Sequence, residues 1–278
     1  MKDSKVYLIT GASSGIGASA AELLLARGHV VYGAARRTDR LADLTGKGLR
    51  PLAMDVTDDA ALVEGVDTIL REEGRIDGLV NNAGYGEYGS LEDTPLDKAR
   101  YQFEVNVFGL ARLTQLVLPG MRARGSGRIV NVSSVGGRMG EPHGAWYHGT
   151  KFAVEGLSDS LRMEVKQFGI DVVVIQPGAI KTEWNGIARK KLLETSGDGP
   201  YAPLARKHAA FLADADNSSQ ASEPTVVGKA IVKALLTRKP KTRYAVGGGA
   251  GSILFLRGLL SDRLFDRTLL GLIGRAKA

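Results

Sequence analysis

Tyr147 and Lys151 stand four residues apart in a stretch of helical periodicity, which places both side chains on one face of a helix. An ammonium beside a phenol favours the phenolate, so Lys151 is expected to pull the Tyr147 hydroxyl down from its reference value of about 10. A phenol tuned in this way can give a proton to a forming alkoxide or take one from an alcohol. Ser133 and Ser134 follow the apolar run Arg128–Val132, which reads as a strand. Hydroxyls in that place lie at the C-terminal edge of the strand, where open α/β sheets bind ligands. No Gly-x-Ser-x-Gly surrounds the pair, so neither serine reads as a hydrolase nucleophile.

A second constellation, Thr10-Gly11-Ala12-Ser13-Ser14-Gly15-Ile16-Gly17, lies between a predicted strand and a predicted helix. A helix N-terminus there offers free N–H groups and its positive dipole end to a pyrophosphate, and glycine lets the backbone come close. The spacing, G-x-x-x-G-x-G, differs from the general G-x-G-x-x-G dinucleotide fingerprint, and a plain Gly-rich turn is the other reading. The second strand ends in Ala34-Ala35-Arg36-Arg37, with no acidic group to meet a ribose 2′-hydroxyl. Arginine there suits a 2′-phosphate, whose oxygens its planar fork binds bidentately. NADP(H) is therefore the expected cofactor, mainly through Arg36, with NAD(H) as the other option.

These groups need elements to hold them. Strand-like Val6–Thr10, helical Ile16–Arg27 and strand-like Val30–Ala34 make a βαβ unit, and the alternation continues. Leu49–Met54 is followed by a helix near Asp58–Glu73 closed by Gly74, then by Gly78–Asn81. Thr94-Pro95 predicts a helix start, with Thr as cap and Pro in the first turn. Val172–Ile175 is another near-continuous apolar run, and a helix from about Ala145 to Phe168, stopped by Gly169, precedes it. The pattern predicts an α/β fold, a single-domain Rossmann-type doubly wound parallel sheet with helices on both faces. Residues 181 to 223 look less regular, with Gly-Asp-Gly-Pro at 197–200 and Asp-Asn-Ser-Ser at 216–219, and predict a mobile substrate-loop excursion.

Taken together, the Thr10–Gly17 loop, Asn81-Asn82-Ala83-Gly84, Asn106, Ser134, Tyr147-His-Gly-Thr-Lys151 and Pro177-Gly178 resemble the short-chain dehydrogenase/reductase family. The resemblance spans roughly residues 5 to 185 and the segment near 224–246, and looks closest to the hydroxysteroid- and retinol-dehydrogenase-like branch. It implies an oxidoreductase interconverting a hydrophobic ketone or aldehyde and its alcohol, with Asn106, Ser134, Tyr147 and Lys151 as the catalytic set. Spacing to Tyr147 makes Ser134 the match to the family's serine, with Ser133 as the alternative. Lys151 would also hold the nicotinamide ribose, and Asn106 would support a water-mediated relay to it, unless it is simply a satisfied core amide. Gly11, Ser13, Ser14, Gly15, Ile16 and Gly17 would cradle the pyrophosphate. Asp55 and Val56 would meet the adenine edge, although Asp55 also suits the cap of a helix beginning near Thr57. Asn82, Ala83 and Gly84 would line the adenosine side, and Pro177, Gly178, Ile180 and Thr182 would bracket the nicotinamide. His143 and His148 lack metal-ligand spacing with carboxylates, so no metal is expected.

Bulk properties narrow the alternatives. With 278 residues, 44% of them hydrophobic and none of them cysteine, the chain reads as one globular domain, free of disulfides and thiolate chemistry. No leader-like or membrane-spanning apolar run is present, which fits a cytoplasmic protein. The net charge of +7 resides wholly in residues 238 to 278, where nine Lys/Arg face two Asp/Glu, so a broad nucleic-acid-binding face is not expected. Residues 247–278 form an apolar and basic extension. Packing or a lid over the substrate is the favoured use of Ser252–Ile273, a subunit contact is another, and an anionic membrane surface is secondary. A homodimer or homotetramer is what the family implies. The competing function is an NAD(P)-binding membrane-peripheral or regulatory protein without turnover.

Overall fold

Apolar side chains alternate between the two faces of each strand, and that alternation builds the molecule. The computed structural model describes residues 4–217 and 221–276. β1 (Val6–Thr10), β2 (Val30–Ala35), β3 (Arg50–Ala53), β4 (Gly78–Asn81), β5 (Gly127–Val132), β6 (Ile170–Pro177) and β7 (Arg243–Val246) form one parallel seven-stranded sheet in the order β3-β2-β1-β4-β5-β6-β7. Successive residues of a strand point to opposite faces. Ile9, Val130 and Val173 accordingly join Leu24 of α1 (Gly15–Leu25) in one core layer. Leu8, Ile129 and Val172 pack on the other face against Val66 and Leu113. Those two come from the helices numbered α3 (Asp59–Glu73) and α5 (Gly109–Ala123), which follow the short α2 (Ala42–Thr45) and α4 (Leu96–Phe103). The chain is thus a single-domain Rossmann-like fold.

The order of strands reverses between β1 and β4, and this switch point opens a crevice at their C-terminal ends. α4 starts one residue later than predicted, because Pro95 is extended and Thr94 spends its hydroxyl on the Ser90 carbonyl, 2.7 Å away, instead of capping the helix. Between α4 and α5 runs a π-helical turn, Glu104–Phe108, a wider coil that often marks functional sites. α6 (Ala145–Val165) runs from the active region, and Gly169, at φ 69°, ends the 3₁₀ turn that continues it.

Residues 181 to 223 depart from the expected irregular excursion. They fold into two helices, α7 (Glu183–Ser196) and α8 (Ala202–Asn217), which pack on each other. Ala188, Leu192 and Ser196 recur at helical spacing and are buried, as are Ala205, Ala209 and Leu212. The Gly-Asp-Gly-Pro signal forms the connection between the helices. Of the 216–219 signal, Asp216 and Asn217 belong to α8, and Ser218 and Ser219 lie outside the described residues. The chain leaves the sheet at Ile180 and returns at Ser222, which are bridged to one another; Lys181 N donates to Ser222 O at 2.9 Å, and Ser222 N to Ala179 O at 3.1 Å.

After α9 (Pro224–Leu236) and β7 the chain ends in a helix pair, α10 (Ala250–Leu259) and α11 (Asp262–Gly274). α11 packs on α8 and buries Ile273. Among the described residues no helix is long and apolar enough to cross a membrane.

Candidate active site

The loop after β1 is sewn to the loop after β4 by a single hydroxyl. Thr10 Oγ1 accepts from Asn82 N and Ala83 N, both at 3.0 Å, while Asn82 Nδ2 donates to the carbonyls of Thr10 (3.0 Å) and Gly11 (3.2 Å). Gly11 and Gly15 have φ of 63° and 53°, where side chains are strained. At Gly17 a Cβ would collide with the Gly11 carbonyl oxygen and stand 2.6 Å from Asn82 Nδ2. Ser14 occupies the N-cap of α1 without a side-chain cap, so the first N–H groups of that helix are left for a ligand. Glycine backbone and open helix N–H groups fit a dinucleotide pyrophosphate.

The crevice continues into a cleft of about 1610 Å³, larger than the ~300–1,000 Å³ typical of a site for one small molecule. A dinucleotide and a substrate can share it. Of the residues expected to touch cofactor or substrate, all line this cleft except Gly17, packed beneath the loop, and Asn106. Arg36 lies at its rim, exposed, with a 3.4 Å hydrogen bond to the Tyr101 hydroxyl. Arg37 and Arg40 line the same end, although Arg40 is paired with Glu183 at 3.0 Å. Asp55 faces the cleft and receives Thr57 N and Oγ1; the cap of α3 is Asp58, which accepts from Ala60 N and Ala61 N.

Asn106 sits in the π-helical turn, 2% exposed. Its Nδ2 donates to the Tyr85 carbonyl (2.9 Å) and to Thr150 Oγ1 (3.0 Å), and its Oδ1 accepts from Tyr85 N (3.0 Å). It thereby ties the turn to the loop after β4 and to α6. A Cβ on Gly84 would stand 3.0 Å from Asn106 Oδ1 and 3.7 Å from Lys151 Nζ, so the three positions are neighbours.

Tyr147, Lys151 and Ser134 converge where β5 ends. Lys151 Nζ donates to the Val132 carbonyl at 3.0 Å and lies 6.0 Å from the centre of the Tyr147 ring. Ser134 caps the 3₁₀ turn Val135–Gly137, accepting from Gly136 N at 3.0 Å, and its side chain stands near enough to the Tyr147 phenol to oppose the rise in its pKa. Ser133 also lines the cleft, but its hydroxyl is buried against Gly137. The electrostatics differ from the sequence expectation. Burial, the largest influence, pushes the Tyr147 phenol up rather than down; Ser134 lowers it and Glu141 raises it further. Burial also brings Lys151 down to about 8, against the opposing pull of Glu155. Desolvation is the largest influence on both groups.

The opposite wall was not foreseen. Tyr88 and Trp184 pack around Tyr147, with ring centres 5.6 Å and 4.9 Å from it, and Glu141 and His148 stand beside them. Trp184 is carried by the first turn of α7, where Thr182 Oγ1 accepts from Trp184 N at 3.3 Å.

Residues 5–192 match the short chain dehydrogenase family. The chain is 36% identical over 244 residues to a 3-ketodihydrosphingosine reductase of Bacteroides thetaiotaomicron, covering 87% of this chain and 88% of the relative. It is 34% identical over 275 residues to an NADPH-dependent 3-dehydrocapnine reductase of Ornithobacterium rhinotracheale, covering 94% of each. A short-chain dehydrogenase structure from Streptomyces avermitilis superposes with a TM-score of 0.81 at 36% identity, covering 99% of this chain and 98% of the other. Two further structures carry cofactors. A metagenomic short-chain oxidoreductase holds NADP (TM-score 0.67, 25% identity, 86% and 95% covered), and a Burkholderia phymatum protein holds NAD (0.78, 26%, 92% of each). The match along the sheet, the glycine loop and the helix bearing Tyr147 and Lys151 leads to one conclusion: this chain belongs to the short-chain dehydrogenase/reductase family and is an NAD(P)-dependent oxidoreductase.

Proposed function

We propose that the enzyme prefers NADPH and reduces a hydrophobic ketone or aldehyde to its alcohol, with Tyr147 supplying the proton. The observation that carries this is the meeting of Ser134, Tyr147 and Lys151 at the end of β5, with the phenol held protonated by its burial. A protonated phenol is the form that reduction requires, and the two named relatives are reductases. Bound cofactor supplies the hydride. Ser134 Oγ and Tyr147 Oη hydrogen-bond the carbonyl oxygen and steady its developing charge. Tyr147 Oη then passes its proton to that oxygen. The tyrosinate left behind faces the Lys151 ammonium, which its bond to the Val132 carbonyl keeps in place. Asn106 keeps Tyr85 and Thr150 fixed beside this pair. Turnover of NADPH with a panel of apolar ketones tests the assignment, and none at all would overturn it.

Arg36 is proposed to choose the cofactor, because its guanidinium is exposed at the rim of the cleft, with a long 3.4 Å hydrogen bond to the Tyr101 hydroxyl that a phosphate could displace. The apparent KM for NADPH is expected to lie at least roughly tenfold below that for NADH, and Arg36→Ala to close most of that gap. Equal or NADH-favouring constants in the unaltered enzyme would refute the preference.

Lys151 sets a pH limit. Its folded value, about 8, lies below the ordinary lysine value, so the charge needed to hold the cofactor is lost as pH rises through that value. kcat/KM for NADPH reports the free enzyme and is expected to fall about tenfold per unit above about pH 8. A profile flat to pH 10 would contradict this role. The same depression means that folding gains stability from this group as pH climbs from the folded towards the unfolded value.

A further inference from the structure

Hydride transfer leaves one set of polar groups on the cleft wall without a task. Glu141 Oε1 accepts the Tyr88 hydroxyl at 2.7 Å and stands 3.7 Å from His148 Nε2 and 4.0 Å from His208 Nε2. His148 Nδ1 donates to the Gly136 carbonyl at 2.8 Å, and His208 Nδ1 lies 3.3 Å from His143 Nδ1. Both Nε2 atoms are buried without a hydrogen-bond partner among the described residues, on side chains 7% and 0% exposed, and they converge on the same carboxylate oxygen.

Glu141 itself is not sealed in. Its side chain keeps 13% of its exposure and lines the cleft together with Tyr88, Tyr147 and His148. An ionised carboxylate in an apolar wall costs several kcal/mol unless it is paired. Burial opposes its charge, but His148, His208 and Tyr88 hold it ionised, down to about 2. The cleft's two other glutamates already face Lys or Arg: Glu87 lies 3.8 Å from Lys98 and 3.7 Å from Lys191, and Glu183 pairs with Arg40. Around Glu141 the wall is aromatic and apolar, with Tyr88, Trp184, Met139 and Leu212. The contacts with Tyr88, His148 and His208 all fall on Oε1, and a carboxylate accepts hydrogen bonds and donates none. What it selects is a donor carried in by the substrate.

We propose that Glu141 anchors a second subsite beside Tyr147, which takes an ammonium or hydroxyl donor placed a few bonds from the carbonyl, so that the preferred substrate is an amino or hydroxy ketone with an apolar remainder. Tyr88 sets the spacing, since its ring packs 5.6 Å from that of Tyr147 while its hydroxyl holds Glu141. His148 and His208 flank the carboxylate at Oε1. A ketone bearing a carboxylate in the same place is repelled.

The subsite rests on the reductase function proposed above, and three chain-matched ketones separate the two: a 2-amino-3-ketone, a 2-hydroxy-3-ketone and the unsubstituted 3-ketone, each with NADPH at neutral pH. The expected order of kcat/KM is amino, then hydroxy, then unsubstituted, with the first exceeding the last by about 30-fold, as a charge-assisted hydrogen bond provides. Glu141→Gln is expected to collapse the amino-to-unsubstituted ratio to within about threefold of unity. A merely structural Glu141 would lower all three constants in parallel and leave the ratio standing, which overturns the subsite. Equal constants in the unaltered enzyme overturn it without any variant, so a poorly folding Glu141→Gln protein does not shelter it. Turnover of the unsubstituted ketone shows that the reductase function survives such a failure. No turnover of any of the three, with NADPH still bound, overturns both.

Discussion

Tyr147→Phe is expected to lower kcat for carbonyl reduction by about 1,000-fold, within the 10²–10⁴-fold range of general acid catalysis. The substitution removes one oxygen and little else. Ring packing against Tyr88 and Trp184 is kept, so folding is preserved, and Lys151 retains its bond to the Val132 carbonyl. NADPH affinity, read by fluorescence titration, should therefore stay near that of the unaltered enzyme. Initial rates under saturating ketone give kcat. A loss of less than roughly tenfold would mean that the proton comes from elsewhere and would sink the role given to this phenol.

Gly17→Ala is expected to cripple cofactor binding through a single methyl group. The new carbon meets the Gly11 carbonyl oxygen and Asn82 Nδ2, both on backbone or tightly bonded groups that have nowhere to move. Either α1 shifts off the loop or Asn82 gives up its bonds to Thr10 and Gly11, and both responses spread the pyrophosphate cradle. Overpacking of this kind costs about 1–3 kcal/mol of stability, which lowers Tm by several degrees in a chain of this size. NADPH affinity should weaken by about 100-fold, because helix N–H groups bind phosphate only when held in place. Thermal unfolding with and without NADPH measures both effects. An unchanged Tm together with an unchanged Kd would show that the loop yields freely.

The sheet and the cofactor loop were legible because their signals are local. Val6–Thr10 alternates its faces within five residues, and Thr10–Gly17 places three glycines where one turn needs them. Tyr147, Lys151 and Ser134 were equally readable as a set of spacings. Their electrostatics were not, since the rise of the Tyr147 phenol comes from burial under α7 and the loop after β4, which no four-residue spacing contains. The helices α7 and α8 were missed for a different reason: Gly197–Pro200 and Asp216–Asn217 advertise turns, while the buried positions Ala188, Leu192, Ala205 and Ala209 are small or widely spaced. Glu141 and His208 meet only because α8 folds back over the site, a convergence of residues far apart in the chain.

The bridge between Ile180 and Ser222 closes the stem of the whole α7–α8 hairpin. A segment rooted in so narrow a base behaves as a cassette: its length and lining can be exchanged while the parallel strands beneath keep their register. New substrate preferences are then reachable by grafting, with Ser134, Tyr147 and Lys151 kept in place by β5 and α6, while the acidity of the phenol follows whatever α7 lays over it.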